Sequence, residues 1–368
     1  MKKFICLIIG VILSVVSAGC ATSNVSSNIS DTSSVYISES AVEDVFADTS
    51  LQDYISENND CSEPEENSEA EESFVSEESS KPEISIDDTS GYTGDTETSK
   101  IEISLSPKDF SAQQVFVYNI NTDEFCFEKN TNEVIVPASI TKLLTALYAL
   151  ESAPAELSVK PGDELFLLKP NSSVAGLQFS DIFTLEQLVA AMMLPSGNDA
   201  AYTTAASVAK YIANNPYLSG KDAVTQFMSG LNQYALSIGC TDTNFSVPDG
   251  YAYTDQYTTA RDLVLIAKRA IQNPIISKYT AMSEYSFTTE NGHVFNFKST
   301  NFHLHTFSPY YREGVTGLKT GTLNLCSLLV SFEIQGDTYI IGIINSATHE
   351  TRFEDSCKII DFLIQAYN

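Results

Sequence analysis

The pattern of apolar and polar positions divides the chain near residue 100. Beyond it, short apolar runs alternate with turn residues. Residues 114–118 and 124–128 are rich in Val, Phe and Tyr and flank Asn119-Ile120-Asn121-Thr122-Asp123, which predicts a β-hairpin. Residues 139–150 then carry apolar side chains at helical spacing, so a helix opens at Ser139. Thr184 and Gln187 have the spacing of a capping box ahead of an apolar stretch, and Pro195 sets the end of that helix at Leu194. Three more helices are expected over 198–213, 223–238 and 259–271. Strands return at 317–320, 327–332 and 339–345, with Gln335-Gly336-Asp337 as the last turn, and a closing helix covers 352–366. Strands at both ends around a helical middle predict an α+β domain over residues 101–368. Its one mainly antiparallel sheet is built from both ends of the domain, with a helical insertion between them.

Upstream of residue 100 the periodicity is missing. Residues 1–20, MKKFICLIIGVILSVVSAGC, place two lysines before a short apolar run and small residues, which reads as a secretory signal too short to span a membrane. The protein is therefore expected outside the cytoplasm. Ser17-Ala18-Gly19-Cys20 fits a lipobox that would leave a lipidated Cys20 on the membrane, while Val16-Ser17-Ala18 fits an ordinary cleavage site that would release the protein. Both readings stay open. Residues 21–100 hold 21 Asp and Glu against Lys81 and Lys100, which is 19 of the chain's 28 net negative charges. Serine-rich and without periodicity, this stretch cannot bury enough apolar surface to offset its ordering entropy, so a disordered tether of ~50 Å root-mean-square span is expected. An acidic interaction tail is the alternative.

The remaining net charge, −11 over residues 101–368, argues against nucleic acid as a partner. Cys126, Cys240, Cys326 and Cys357 show no CxxC spacing and are expected to be free and buried. His303-Leu304-His305 lacks further ligands at a suitable spacing, so no metal is expected there.

Candidate chemistry sits in VPASITKLLTALYAL. Lys142 follows Ser139 by three residues, which puts both on one helix face. In the first turn, the Ser139 N–H has no intrahelical partner, so it can donate to a developing oxyanion that the helix dipole also favours. Lys142 would take the hydroxyl proton if neutral, and burial beside another cation lowers a lysine pKa. The spacing alone is weak, because Ser207-Val208-Ala209-Lys210 repeats it inside a predicted helix, where the serine N–H is already bonded. Ser196-Gly197-Asn198 at a helix break and Lys319-Thr320-Gly321 on a strand set Ser139 apart. In that order, Ser-x-x-Lys, Ser-x-Asn and Lys-Thr-Gly match the penicillin-recognising serine enzymes.

Within that superfamily the chain, from about residue 114 onward, resembles the low-molecular-mass penicillin-binding proteins that are serine D-alanyl-D-alanine carboxypeptidases. PASITKLLTALYAL, LVAAMMLPSGNDAA, VPDGYAYTDQYTTARDLVLIAKRAI and GVTGLKTGT carry the likeness, in family order. It implies a β-lactamase/penicillin-binding-protein-like fold, no cofactor, peptidoglycan stem peptides ending in D-Ala-D-Ala as substrate, and β-lactam antibiotics as covalent inhibitors. Ser139 would be the acylated nucleophile, Lys142 its general base, Ser196 a proton relay to the leaving amine, and Asn198 a holder of Lys142 and the substrate amide. Lys319 would be the second cation, depressing the Lys142 pKa and attracting the substrate carboxylate, with Thr320 adding a hydroxyl and Gly321 allowing close backbone approach. The Thr322 N–H would complete the oxyanion hole with that of Ser139, and Arg352 falls where relatives keep an arginine near the carboxylate.

The chain departs from the family after Lys319-Thr320-Gly321, where Thr322-Leu323-Asn324-Leu325-Cys326 lacks the usual histidine-threonine start. Relatives also carry a β-rich domain and an amphipathic anchor after the catalytic domain, so here membrane attachment is expected at the N-terminus. A class A β-lactamase would need Glu-x-x-Leu-Asn; the nearest match, Met228-Ser229-Gly230-Leu231-Asn232, starts with methionine. A wall-peptide sensor without activity would have lost Ser139, Lys142 or Lys319, and all are present. Endopeptidase or transpeptidase action on the same bond stays as an alternative.

Overall fold

The structure is a computed structural model that describes residues 103–368 apart from Tyr253. The signal segment, Cys20 and the acidic stretch 21–100 lie outside the described residues. In chain order the first half holds β1 (Gln114–Asn119), β2 (Glu124–Lys129), α1 (Thr141–Ser152), β3 (Ser158–Val159), β4 (Phe183–Thr184), α2 (Leu185–Met193) and α3 (Asn198–Ile212). Then follow α4 (Gly220–Ser237), α5 (Ala260–Gln272), α6 (Pro274–Thr280), β5 (Glu284–Thr288) and β6 (Val294–Lys298). The last part is β7 (Val315–Thr322), β8 (Cys326–Ile334), β9 (Asp337–Ser346) and α7 (His349–Tyr367).

The five-stranded sheet runs β2-β1-β9-β8-β7, every neighbouring pair antiparallel, so it joins the two ends of the domain as the strand pattern predicts. Both of its faces are covered. Phe116, Leu329 and Ile340 turn toward the apolar side chains of α1 to α5, while Val115, Val117, Val330 and Ile341 meet Phe353 and Ile360 of α7. Successive strand residues point to opposite faces. A sheet buried on both faces therefore needs apolar residues at consecutive positions, as at Leu328, Leu329 and Val330 in β8 and Tyr339, Ile340 and Ile341 in β9.

Local rules account for the element ends. Thr184 and Gln187 make both bonds of the capping box, the Gln187 N–H donating to Thr184 Oγ1 at 3.1 Å and the Thr184 N–H to Gln187 Oε1 at 2.9 Å. The short strands β3 and β4, the helix α6 and the hairpin of β5 and β6 went unread in the sequence. Asn273 Oδ1 caps α6 by accepting from the N–H groups of Ile275 and Ile276, with Pro274 in its first turn. The hairpin of β5 and β6 turns near Asn291-Gly292, with Gly292 in the left-handed region at φ 86°.

Cys240, Cys326 and Cys357 are free and buried, while Cys126 is only half-buried. His303 is a satisfied core residue, with Nδ1 at 2.6 Å from the Tyr310 carbonyl and Nε2 at 2.6 Å from Ser356 Oγ. No helix among the described residues is long and apolar enough to cross a membrane. Met228 lies in the core on α4, and Asn232 ties that helix to Phe245, accepting from its N–H at 2.8 Å and donating to its carbonyl at 2.7 Å. The stretch that resembles a water-activating motif is thus packing and a helix-to-loop tie.

Gly342 in β9 lies opposite Phe116 of β1, and a Cβ there would stand 2.0 Å from the Phe116 ring. Gly342→Ala should therefore cost about 1–3 kcal/mol through overpacking, lowering Tm by roughly 2–4 °C per kcal/mol for a domain of this size. Adding Phe116→Leu should recover part of the loss in the same thermal melt, because it frees the space the methyl group needs.

Candidate active site

Ser139 lies in a 3₁₀ turn, Ala138–Ile140, that runs directly into α1. Ala138 takes the left-handed region at φ 50°, an uncommon place for a residue with a Cβ. Two glycines make room for this turn. A Cβ on Gly250, itself at φ 81°, would stand 1.9 Å from the Ala138 carbonyl oxygen, and one on Gly321 would stand 2.9 Å from that of Pro137. Gly321 therefore brings β7 hard against the turn that carries Ser139, which places Thr322 beside it.

Lys142 is 0% exposed. Its ammonium donates to Ser139 Oγ at 2.9 Å, Asn198 Oδ1 at 2.7 Å and the Asp249 carbonyl at 2.9 Å, so each of its three N–H groups has an acceptor. Asn198 is the first residue of α3, set there by the break after Leu194-Pro195, with Ser196 left-handed at φ 61°. Gly197 has Ala175 where a Cβ would go, 2.7 Å from the Ala175 Cβ. Lys319, 1% exposed on β7, donates to Ser196 Oγ at 2.9 Å and to the Thr320 carbonyl at 3.2 Å. The structure thus brings all three sequence motifs into one hydrogen-bonded cluster, and leaves Ser207 in the middle of α3.

Burial is the main cause that lowers the Lys142 pKa, to about 8, with the Asp249 and Asp199 carboxylates pulling it back up. The Lys319 pKa is pushed well below its ordinary value by burial first and then by the charges of Lys142 and Arg352. The repulsion between the lysines is felt at Lys319, whereas the Lys142 shift comes from burial and the two carboxylates. Asp249 is itself raised by burial, with Lys142 opposing.

The remaining candidates lie around the end of β7. Thr320 Oγ1 is 2.6 Å from Thr300 Oγ1. Arg352 is buried on α7 and donates from Nη1 to Thr322 Oγ1 at 3.1 Å, the Ser327 carbonyl at 3.4 Å and the Gly321 carbonyl at 3.5 Å. Burial lowers its pKa to about 10, and its Nε has no partner. Arg352 is therefore no surface charge: it lies against the backbone that leads to Thr322.

Three contributors carry no strong sequence signal. Asp249 acts on Lys142 through a main-chain carbonyl, which any residue type supplies; Thr145 Oγ1 fixes this loop by donating to the Pro248 carbonyl at 2.7 Å. Asp199 accepts from the N–H groups of Ala175, Gly176 and Leu177 at 2.8, 2.9 and 3.0 Å, binding that loop to the start of α3. Thr300 meets Thr320 across a gap in sequence that only the fold closes.

Comparison with known proteins agrees with this geometry. A curated relative from Bacillus subtilis (strain 168), D-alanyl-D-alanine carboxypeptidase DacF, is 26% identical over 262 residues, which is 70% of this chain and 63% of that protein. The chain thus spans under two thirds of that relative's length. The D-alanyl-D-alanine carboxypeptidase of Streptomyces sp. (strain K15) is 27% identical over 263 residues, 67% of this chain and 85% of that protein. The crystal structure of the Streptomyces K15 DD-transpeptidase superposes with a TM-score of 0.62 at 25% identity, over 70% of this chain and 98% of that one. The family model described as D-alanyl-D-alanine carboxypeptidase matches residues 101–347, a span that takes in Ser139, Lys142, Ser196, Asn198 and Lys319. By that match over most of its length, the chain belongs to the D-alanyl-D-alanine carboxypeptidase family.

Proposed function

We propose that this chain is a serine D,D-carboxypeptidase that removes the terminal D-alanine from peptidoglycan stem peptides through an acyl-serine intermediate. The observation that carries the reading is the threefold coordination of Lys142 by Ser139, Asn198 and Asp249. Neutral Lys142 keeps two N–H donors, enough for Asn198 Oδ1 and the Asp249 carbonyl. Its lone pair then faces Ser139, whose O–H is the one group of the three that has a proton to give.

The reaction follows from that arrangement. Lys319 and Thr320 draw in the substrate's terminal carboxylate, with Arg352 adding positive charge behind Thr322. Ser139 Oγ bonds to the carbonyl carbon as its proton passes to Lys142, and the carbonyl electrons move onto oxygen between the N–H groups of Ser139 and Thr322. The carbon–nitrogen bond breaks when Ser196 hands a proton to the departing amine and takes up in its place the proton that Lys142 received from Ser139, with Lys319 at the far side of that hydroxyl. Free D-alanine leaves, water attacks the ester while Lys142, neutral again, takes its proton, and the ester C–O bond breaks as Lys142 returns that proton to Ser139 Oγ. An amine in the place of water would give transpeptidation through the same ester.

A β-lactam would present the same carboxylate and carbonyl, but its leaving nitrogen stays attached to the acyl group. Benzylpenicillin should therefore add its mass to Ser139 and persist, while a peptide ending in D-Ala-D-Ala should release D-alanine. Ser139→Ala should lose both, D-alanine release falling on the order of 10³-fold or more, and Ser207→Ala should keep both. Intact-protein mass and D-alanine assays check this. Rapid penicillin turnover would favour a β-lactamase, and a stable adduct without D-alanine release would favour a sensor.

Acylation should rise with pH as Lys142 loses its proton, near pH 8. Removing the Asp249 carboxylate takes away an anion that holds the proton on Lys142, so Asp249→Asn should move this acidic limb of kcat/KM to lower pH. The asparagine can still accept from the Tyr251 N–H, as Oδ1 does at 3.0 Å. A limb that stays in place would count against Lys142 as the base.

The N-terminal segment supports an extracytoplasmic placement with Cys20 as the lipid anchor. Cys20→Ala should then release the protein from the membrane fraction and abolish fatty-acid labelling. A native N-terminus at Gly19 without lipid, read by mass spectrometry, would replace the anchor with simple secretion.

A further inference from the structure

Under the reading proposed above, on which this inference rests, Lys319 and Thr320 receive the substrate's terminal carboxylate. The protons available there can be counted. An anion beside Lys319 favours its charged form, which has three N–H groups. One goes to Ser196 Oγ at 2.9 Å and one to the Thr320 carbonyl at 3.2 Å, which leaves one for the substrate. Thr320 has a single hydroxyl proton. Its Oγ1 lies 2.6 Å from Thr300 Oγ1, so one of these two hydroxyls donates to the other. If Thr320 is the donor, it turns only lone pairs toward the carboxylate. If Thr300 is the donor, the Thr320 proton is left over, and the two carboxylate oxygens find two donors.

Thr300 lies just beyond the end of β6, and its backbone is held apart from the Thr320 contact. Its N–H donates to the Leu194 carbonyl at 3.1 Å, immediately ahead of Pro195-Ser196. The next residue, buried Asn301, donates from Nδ2 to the Gly317 carbonyl at 3.2 Å, on the strand that carries Lys319-Thr320-Gly321. The segment is thus tied to both strips of chain that supply the Ser196 and Lys319 motifs, and the ties set where the Thr300 hydroxyl lies. Thr300 is half-buried while Thr320 is 5% exposed, so solvent reaches the first more readily than the second. Thr300 Oγ1 bonds to no other side chain or carbonyl among the described residues, so donating to Thr320 breaks no competing bond. A hydroxyl that accepts one hydrogen bond also donates another more strongly.

We infer that Thr300 is a positioning residue for substrate recognition: its hydroxyl donates to Thr320 and so turns the Thr320 proton toward the carboxylate. The site then favours peptides with a free C-terminal carboxylate over neutral ones. The carboxylate is held alike before and during acylation, so the contribution falls on KM rather than on kcat.

The test uses the full chain and two acetylated tripeptides ending in D-Ala-D-Ala, one as the free acid and one as the C-terminal amide. Release of D-alanine or D-alaninamide is followed by chromatography. Thr300→Val removes the hydroxyl with little change of shape. It should lower kcat/KM for the acid about fivefold, mainly through KM, which is what one hydrogen bond contributes, and for the amide by less than about twofold. Thr300→Ser should stay near the unaltered protein. In a Thr320→Val background, Thr300→Val should change neither peptide further. Equal losses for acid and amide, a gain for the acid, or a loss that serine does not rescue overturns the assignment. So does a further loss in the Thr320→Val background, because Thr300 would then act without Thr320. The unaltered protein separates the levels. Release from neither peptide removes the carboxypeptidase reading and this inference with it, and equal release from both removes the carboxylate site at Lys319 and Thr320. A preference for the acid that Thr300→Val leaves intact removes the positioning role alone.

Discussion

A fully buried ammonium group governs this structure. Taking a charged amine out of water is tolerated only when its protons find acceptors, and Lys142 needs three. They come from three separate parts of the chain: the turn before α1, the first residue of α3 and the loop that precedes α5. Those parts must therefore meet at one point. Lys319 repeats the demand from the sheet side, and its bond to Ser196 ties β7 to the break between α2 and α3. The same burial that makes each lysine costly to hold also lowers its pKa, so the constraint on folding and the condition for proton transfer are one quantity seen twice.

Bringing those parts together forces close contacts and unusual backbone. Ala138 and Ser196 both have positive φ, and neither is a glycine. Such conformations persist only where the surroundings overdetermine them. Here Gly250 and Gly321 leave space for the Ser139 turn from two sides, while isolated bridges from Ile135 to Thr258 and from Asn244 to Tyr257 hold the adjoining loop in register. The Asp199 carboxylate does the same for Ser196-Gly197-Asn198 by gathering three N–H groups of the neighbouring loop. The strain lies beside Ser139, and the packing that contains it is spread across both the sheet and the helical insertion.

How much of this was legible depended on whether the information was local. Ser139 and Lys142 meet through helical spacing, and Pro195 marks the break that frees Ser196, so both were readable from a few residues. The sheet's composition from both chain ends followed from the order of the apolar runs. Asp249 was not readable, because a main-chain carbonyl has no side-chain signature. Neither was the Thr300–Thr320 contact, which only the fold brings together. Two misses had local signals: Asn273-Pro274 opens α6, and Asn291-Gly292 joins alternating runs in β5 and β6. Met228 was readable in the same local way: methionine stands where a β-lactamase would need glutamate, and α4 places it in the core.

The position of β7 connects the fold to the chemistry. An edge strand exposes N–H and C=O groups that invite pairing, and proteins normally blunt or cover such edges. Here the Ser139 turn comes up against β7 at Gly321, and the strand carries Lys319 to Thr322 in order along it. In the proposed reading, the substrate supplies the missing strand, with its carboxylate, its reacting carbonyl and its upstream residue taking successive positions. The loop Thr322-Leu323-Asn324-Leu325-Cys326, where the chain departs from its family, then falls at the upstream end. On that reading the departure bears on which stem peptide is accepted, while the Ser139, Ser196 and Lys319 motifs are unchanged.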